Sequence, residues 1–241
     1  MNFLPSNSSL APDSVQPVPT QSSPASHILA AARLLLPDLE QGRRIDAAIL
    51  RAAMEATFAA SDATGTWNWK MAYDACEAAT VLFLRKFGPA LRARASSPAA
   101  MLPIFAKIAR LLPTHTRRSE ESQTFQQFST PIDLGLAVFT AAKIVPADVV
   151  LEPSAGTGLL AILAELAGGS LVLNELAETR AGLLDQLFPG ISVTRFDAAQ
   201  IDDHLDTRIT PSVVVMNPPF SALAHVDRRV AETAFRHIAS A

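Results

Sequence analysis

The residues best suited to chemistry lie in two short runs, EPSAGTG at 152–158 and NPPF at 217–220. Each run follows a valine-rich apolar stretch, so each is expected where a buried strand of an α/β sheet ends. Open parallel sheets bind their ligands at that edge. The first run suits a nucleoside cofactor, because glycine lets the backbone approach a ligand closely. The second suits a planar amine held for reaction, and together the runs predict methyl transfer to an amino nitrogen, with an adenine base favoured.

Acidic residues around the glycine turn predict S-adenosylmethionine as the cofactor. Glu152 places a carboxylate at the strand tip, where it suits an ammonium group and would repel a pyrophosphate. Glu175 follows the next strand, 19 residues after Gly156, and could accept hydrogen bonds from both ribose hydroxyls. Asp197 could accept one from the adenine amino group, with a turn or helix-capping role as the alternative. A helix that begins near Thr157 would point free N–H groups at the ligand.

Two sequence features of this region each have two possible interpretations. Gly156, Gly158 and Ala161 also match the relaxed dinucleotide fingerprint, so a nicotinamide-dependent oxidoreductase is an alternative. Upstream, Ser129 or Thr130 is expected to cap a helix that has Pro131 in its first turn. The hydroxyl and N–H groups there could hold the cofactor's carboxylate, or the run could be a helix cap alone.

The run at 217–220 predicts how the amine is held. An exocyclic base nitrogen is a poor nucleophile, because its lone pair is delocalised into the ring. The side-chain oxygen of Asn217 and the carbonyl of Pro218 could each accept one N–H, which frees the lone pair for in-line attack on a sulfonium methyl. Catalysis would then rest on positioning and electrostatics. Phe220 could stack on a base rotated out of a duplex, or the run could be a rigid Pro-Pro turn with a packed phenylalanine.

Alternating strands and helices must position these runs. After Thr114 the pattern predicts helix at 131–143, strand at 148–152, helix at 158–167, strand at 170–175, helix at 177–187, strands at 191–196 and 212–216, and helix from about 227. Such alternation makes a parallel sheet with helices on both faces. Residues 27–113 are alanine-rich and predict four or five helices, with breaks at Pro37, 62–65, 88–89 and 96–98. Residues 1–26 hold five prolines and seven serines, which predicts a disordered tail.

Composition limits the remaining possibilities. The chain has 241 residues, 49% of them apolar, which is enough for one domain or for a catalytic domain with a small helical one. A single cysteine excludes an internal disulfide framework and a cysteine-rich zinc site, and the five histidines lack metal-ligand spacing. No metal site is expected. No segment resembles a membrane span or a secretory signal, so a cytoplasmic location is expected.

Charge and aromatic residues bear on a nucleic-acid partner. The net charge of −3 divides into +4 for residues 1–120 and −7 for residues 121–241. Basic pairs at 43–44, 85–86, 92–94 and 117–118 suit a helical segment that touches phosphates, although solvated helix faces explain each pair equally well. The aromatic residues Trp67, Trp69 and Tyr73 are expected in the helical core, with base stacking as the alternative.

Five motifs in this order resemble the class I amino-methyltransferases that modify DNA adenine. They are QFSTP at 127–131, EPSAGTG at 152–158, NE at 174–175, FD at 196–197 and NPPF at 217–220. The motif order is similar to that of gamma-type enzymes and type I modification subunits. Residues 123–241 look closest to the methyltransferase segment of bacterial strawberry notch-like proteins, where it precedes a helicase-like region.

The resemblance implies an α/β, Rossmann-like class I methyltransferase sheet in residues 114–241, after an all-α helical domain in residues 27–113. It implies S-adenosylmethionine as cofactor and nucleic acid as partner, with DNA favoured over RNA. The family sheet has seven strands, and this sequence reaches Ala241 after the fourth. A truncated sheet is therefore expected, from a fragment or from a piece completed by a partner chain or helicase-like region, with weak or absent activity alone.

The site candidates, taken together, are as follows. The cofactor-binding candidates are Thr130, Pro131, Glu152, Ser154, Gly156, Gly158, Glu175 and Asp197. The catalytic candidates are Asn217, Pro218, Pro219 and Phe220. Other functions compatible with these motifs are methylation of guanine N2 in RNA or of a glutamine amide in protein, and a non-catalytic cofactor-binding or scaffolding role.

Overall fold

A computed structural model describes residues 23–113, 130–217 and 236–241. The expected tail lies outside these ranges up to residue 22, as do the basic pair at 117–118 and the candidates Pro218, Pro219 and Phe220. The first helix begins at Pro24, three residues before the expected start of the helical segment at residue 27. It begins there because Ser23 caps it, accepting a hydrogen bond from the backbone N–H of Ser26, and because proline is favoured in a first helical turn.

Four α-helices occupy the first half of the described chain. They are α1 (Pro24–Glu40), α2 (Ala47–Phe58), α3 (Trp69–Arg94) and α4 (Leu102–Leu111), with short 3₁₀ turns at Asp62–Thr64 and Pro98–Met101. Asp46 and Asn68 cap α2 and α3 with their side chains.

Two of the expected helix breaks are wrong. Helix α1 runs through Pro37 to Glu40, and α3 runs through Pro89 to Arg94. At the second break, Gly88 packs so closely that a Cβ there would come within 2.6 Å of a methyl group of Leu166. Tertiary packing therefore keeps the helix continuous where the local signal for a break is strong.

The second half alternates strands with helices. The elements are α5 (Ile132–Ala142), β1 (Val149–Glu152), α6 (Ala161–Ala167), β2 (Ser170–Asn174), α7 (Glu178–Leu187), β3 (Val193–Thr194), a 3₁₀ turn at Ala198–Gln200, α8 (Ile201–His204) and β4 (Val213–Val214). The expected strands are present but shorter, most of all β3 and β4. The start expected for α6 is wrong, because residues 157–160 form turns and the helix begins at Ala161.

The four strands form one parallel sheet in the order β3-β2-β1-β4. Glu152 at the end of β1 pairs in register with Leu173 of β2, and Leu151 pairs with Val214 of β4. The carboxyl ends of β1, β2 and β4 therefore lie side by side. This confirms the α/β class and the parallel sheet, and it places the run at 152–158 and Asn217 at one edge.

The helices α1 and α3 pack over the sheet half of the molecule, and one hydrophobic core runs through both halves. Arg85 of α3 donates two hydrogen bonds of 2.8 Å to the carboxylate of Glu165 in α6. Trp67 and Tyr73 are buried, which confirms the core role expected for them. The division into separate helical and catalytic domains stays a prediction. Among the described helices, none is long and apolar enough to cross a membrane.

Candidate functional site

Gly156 and Gly158, the two glycines of the turn after β1, have different surroundings. Both have positive φ, +58° at Gly156 and +86° at Gly158. A Cβ on Gly158 would come within 2.4 Å of the Phe188 ring, whereas one on Gly156 would meet only the Arg180 Nη1 atom, at 4.0 Å. Gly158 thus permits close packing of the turn against residues of the core. Gly156 is the glycine that faces open space.

That space is a cavity of about 460 Å³ at the carboxyl edge of the sheet. Its wall includes the glycine turn, the residues after β2, the loop after β3, the end of β4 and the first turns of α3. The lining residues that the motifs predict are Ser154, Gly156, Glu175, Asp197 and Asn217. A cavity of this size is within the usual range for a small-molecule site.

A smaller space of about 40 Å³ adjoins it and is lined by Thr130 and Glu152. Ser154, Gly156 and Asn217 line both spaces, so seven of the described candidates converge on one place. Gly158 and Pro131 line neither. Pro131 is the N-cap residue of α5, and among the described residues no side chain caps this helix. The expected capping by Thr130 with Pro131 inside the helix is therefore wrong, and Ser129 lies outside the described residues.

Glu175 fastens the glycine turn to the end of β2. One carboxylate oxygen accepts a hydrogen bond from the Gly156 N–H at 2.8 Å, and the other accepts one from the Ala177 N–H at 2.9 Å. Each oxygen has a second lone pair, so these bonds leave acceptor capacity on the cavity side. The expected contact with ribose hydroxyls stays a prediction, and holding the turn is a role that the sequence did not predict.

The side chain of Asn174, at the end of β2, forms hydrogen bonds with the segments that follow β1 and β3. Its side-chain N–H₂ group donates to the carbonyls of Pro153 and Phe196, at 2.9 Å each. Its side-chain oxygen accepts from the Phe196 N–H at 2.8 Å. Because the residue is almost fully buried, these bonds form in a low-dielectric interior where they hold the loops firmly.

Glu152 is a buried acid, with 3% of its surface exposed. Burial raises the pKa of its carboxyl group well above the ordinary value, and the negative charge of Glu175 raises it further, while a backbone hydrogen bond at Ala161 opposes the shift. Within the described ranges, its Oε2 atom has no hydrogen-bond partner. A nearby cation stabilises the ionised form of such a buried carboxyl group.

Asn217 lies just after β4 and contacts Thr130, the residue before the N-cap of α5. Its side-chain nitrogen donates to the hydroxyl of Thr130 at 3.0 Å. Thr130, from the first of the five motifs, and Asn217, from the last, therefore meet beside the glycine turn. Asp197, in contrast, caps the 3₁₀ turn at Ala198–Gln200 by accepting from the Ala199 N–H at 3.0 Å. This confirms the capping alternative, and its contact with adenine stays a prediction.

Sequence reasoning missed the part of the site that α3 supplies. Asp74 of α3 forms a buried ion pair with Arg180 of α7, with a shortest distance of 2.7 Å. Glu77, one turn further along α3, accepts a hydrogen bond from the Thr157 hydroxyl. The available signal was the presence of two acids in the otherwise apolar stretch from 72 to 81, since buried acids need partners.

His237 is a second missed residue. It is 7% exposed and lines the larger cavity near Asp197. Burial lowers the pKa of its imidazole, while the charge of Asp197 acts in the opposite direction. The segment that carries it is tied down because Ser240 hydrogen-bonds to Asp202. No motif marks this histidine, so sequence alone offered no signal for it.

Four of the six basic residues that were considered for phosphate contact and that the structure describes have partners inside the chain. Arg43 pairs with Asp38, Arg85 with Glu165 and Lys86 with Glu40. Arg92 donates to the backbone carbonyl of Leu166. These contacts give each cation an internal role, so they favour the alternative of ordinary helix faces over a phosphate-binding surface.

A search for three or more clustered metal-ligating side chains finds none in residues 23–113, 130–217 and 236–241. Comparison with known proteins finds no family model, no curated protein and no solved structure that matches the chain. The relationship to the adenine methyltransferases therefore stays a prediction from the motifs.

Proposed function

We propose that this protein is an S-adenosylmethionine-dependent methyltransferase that acts on an amino nitrogen, with adenine N6 of DNA as the favoured target. One observation carries the proposal: Gly156 and Asn217, at the tips of neighbouring strands, line the same cavity. A donor held over the glycine turn and an amine held by Asn217 would be close enough for direct transfer. When bound, the cofactor supplies an electrophilic methyl group.

The charges of the site fit this cofactor. S-adenosylmethionine carries a sulfonium and an ammonium group, and the buried oxygen of Glu152 without a hydrogen-bond partner suits such a cation. Glu175 adds a second carboxylate beside Gly156. A nicotinamide dinucleotide would instead bring its anionic pyrophosphate to this turn, against two acids, so we favour the methyl donor.

The contact between Asn217 and Thr130 suits a residue that holds an amine. Because the amide nitrogen donates to the Thr130 hydroxyl, the amide is oriented, and its oxygen is the atom that can accept an N–H from the substrate. Positioning and electrostatic stabilisation would then account for catalysis, without a strong base. The assignment of Pro218, Pro219 and Phe220 to the same subsite rests on the family resemblance.

The partners and the location are parts of the same proposal. The proposal of a nucleic-acid partner, with DNA preferred to RNA, rests on the motif resemblance rather than on the basic pairs, because four of their six described members have partners within the chain. A helicase-like region or a partner chain that completes the sheet is proposed on the same ground. A cytoplasmic location fits a nucleic-acid-modifying enzyme of this kind.

Calorimetry tests the cofactor. We expect the full chain to bind S-adenosylhomocysteine and to bind NAD much more weakly; tighter NAD binding would overturn the methyltransferase proposal.

Single-turnover transfer of a tritiated methyl group, with the chain in excess, then compares DNA, RNA and protein substrates. Asn217→Ala should abolish transfer, while Gln186→Ala, which removes an exposed amide on α7, should leave it intact. Equal rates of methyl transfer in both variants would contradict the role proposed for Asn217 in holding the amine.

A further inference from the structure

Two cations flank one buried acid on the wall of the larger cavity. Arg180 donates to Asp74 at 2.7 Å, and the Lys70 ammonium lies 3.8 Å from the same carboxylate. Arg180 and Lys70 both line the cavity. These two cations share the Asp74 carboxylate on the wall of a site that is otherwise acidic, with Glu77 and Glu175 also near Arg180.

The guanidinium of Arg180 is fixed in one orientation. Its Nε and Nη2 atoms donate to the Asp74 carboxylate at 2.7–3.3 Å. The remaining nitrogen, Nη1, is on the side of Gly156, 4.0 Å from where a Cβ on that glycine would lie. Only 9% of the side chain is exposed. A pre-oriented, buried guanidinium that faces a ligand cavity is well suited to bind a carboxylate.

Other acids near Arg180 are already engaged. Glu77 accepts from the Thr157 hydroxyl, and Glu175 accepts from two backbone N–H groups. Although burial opposes the charged form, the charge and hydrogen bonds of Asp74 raise the pKa of the Arg180 guanidinium above its ordinary value, with smaller contributions from Glu77 and Glu175. Arg180 is therefore charged at every pH at which the protein is folded.

We propose that Arg180, held by Asp74 of α3, binds the α-carboxylate of the cofactor's amino-acid part. Glu152 and Arg180, an acid and a base, line the same small space beside Gly156. That pair matches the ammonium and the carboxylate of an amino acid, respectively. The helical segment thereby takes part in cofactor binding, since Asp74 orients the arginine. This inference rests on the proposed function.

Asp74 and Arg180 also join α3 to α7, so loss of stability on mutation would not prove ligand binding. Ligand chemistry separates the two roles. S-adenosylhomocysteine carries the α-carboxylate, whereas 5′-methylthioadenosine lacks the whole amino-acid part and keeps the nucleoside. A contact with the carboxylate changes the affinity for the first ligand alone, while a general distortion of the site changes both.

The experiment is calorimetry of the full chain with both ligands. We expect Arg180→Met to bind S-adenosylhomocysteine about 10- to 100-fold more weakly, the usual effect of losing a charged hydrogen bond, and methylthioadenosine within about twofold of the unmodified chain. Arg85→Met is the matched control, because Arg85 joins α3 to α6 through Glu165 outside the larger cavity. It should change neither affinity.

Equal losses for both ligands in Arg180→Met would overturn this inference and leave the proposed function standing. An unmodified chain that binds neither ligand would overturn both. If Arg180→Met does not fold, Arg180→Lys keeps the charge but loses the planar fork of donors. A loss confined to S-adenosylhomocysteine then supports the contact, and unchanged binding of that ligand contradicts it.

Discussion

The side-chain nitrogen of Asn217 lies 3.0 Å from the hydroxyl oxygen of Thr130, although 87 residues separate them in the sequence. The contact joins the end of β4 to the residues that precede α5, beside the glycine turn. The motifs predict that Thr130 contacts the cofactor's carboxylate, and its bond with Asn217 suggests that it orients the Asn217 amide instead. The two roles lead to different results when the hydroxyl is removed.

Thr130→Val should slow single-turnover methyl transfer about 2- to 10-fold and leave the affinity for S-adenosylhomocysteine unchanged. The reason is that the amide of Asn217 loses one hydrogen bond that orients it, worth about 0.5–1.5 kcal/mol. Thr130→Ser keeps the hydroxyl and should restore the rate. A weaker affinity with an unchanged rate would instead support the cofactor contact.

Gly158→Ala should destabilise the protein by about 2–4 kcal/mol, measured by urea unfolding. The new methyl group would overlap the Phe188 ring at 2.4 Å, and the residue would also be held at a φ of +86°. Gly190→Ala separates the two causes, because Gly190 has a φ of +91° with nothing within 4 Å. We expect that control to lose only about 1–2 kcal/mol, the cost of the left-handed backbone. Equal losses would show that packing against Phe188 is unimportant.

Glu152 should make the empty protein less stable as the pH rises. A carboxyl group whose folded pKa is raised binds its proton more tightly in the folded state than in the unfolded state. Its favourable contribution is therefore complete below the ordinary value of 4.5 and is lost as the pH rises from there through the raised folded pKa. Thermal unfolding between pH 4 and pH 9 measures this loss.

Glu152→Gln should flatten that pH dependence, raise the stability at pH 8 by about 1–2 kcal/mol and weaken S-adenosylhomocysteine binding. The amide cannot ionise, and it cannot balance the charge of an ammonium group. Asp185→Asn, at an exposed site that lines neither the larger nor the smaller space, should alter neither property. A variant that is less stable at pH 8 and binds the ligand normally would contradict the role given to Glu152.

The sheet and its ligand edge were predictable from local pattern, and the charges around the edge were not. Valine-rich runs that end at 152 and 217 place two strand tips at one edge in any parallel sheet, and the structure has them there. The start of α6 was misjudged because Gly158 has a left-handed backbone, which an α-helix excludes. The pair between Asp74 and Arg180 joins residues 106 positions apart, and no local pattern encodes such a contact.

Asp74→Ala should destabilise the protein by about 3–5 kcal/mol, because it leaves the Arg180 guanidinium buried without its carboxylate. The matched control is Asp38→Ala, which breaks the pair with Arg43, whose side chain is 57% exposed, and should cost at most about 1 kcal/mol. Urea unfolding measures both. The double variant Asp74→Ala/Arg180→Met should recover part of the loss, since the guanidinium is no longer buried without its carboxylate. A double variant that loses the full sum of the two single changes would mean that the charges do not interact, and α3 would then be held to α7 by apolar packing alone.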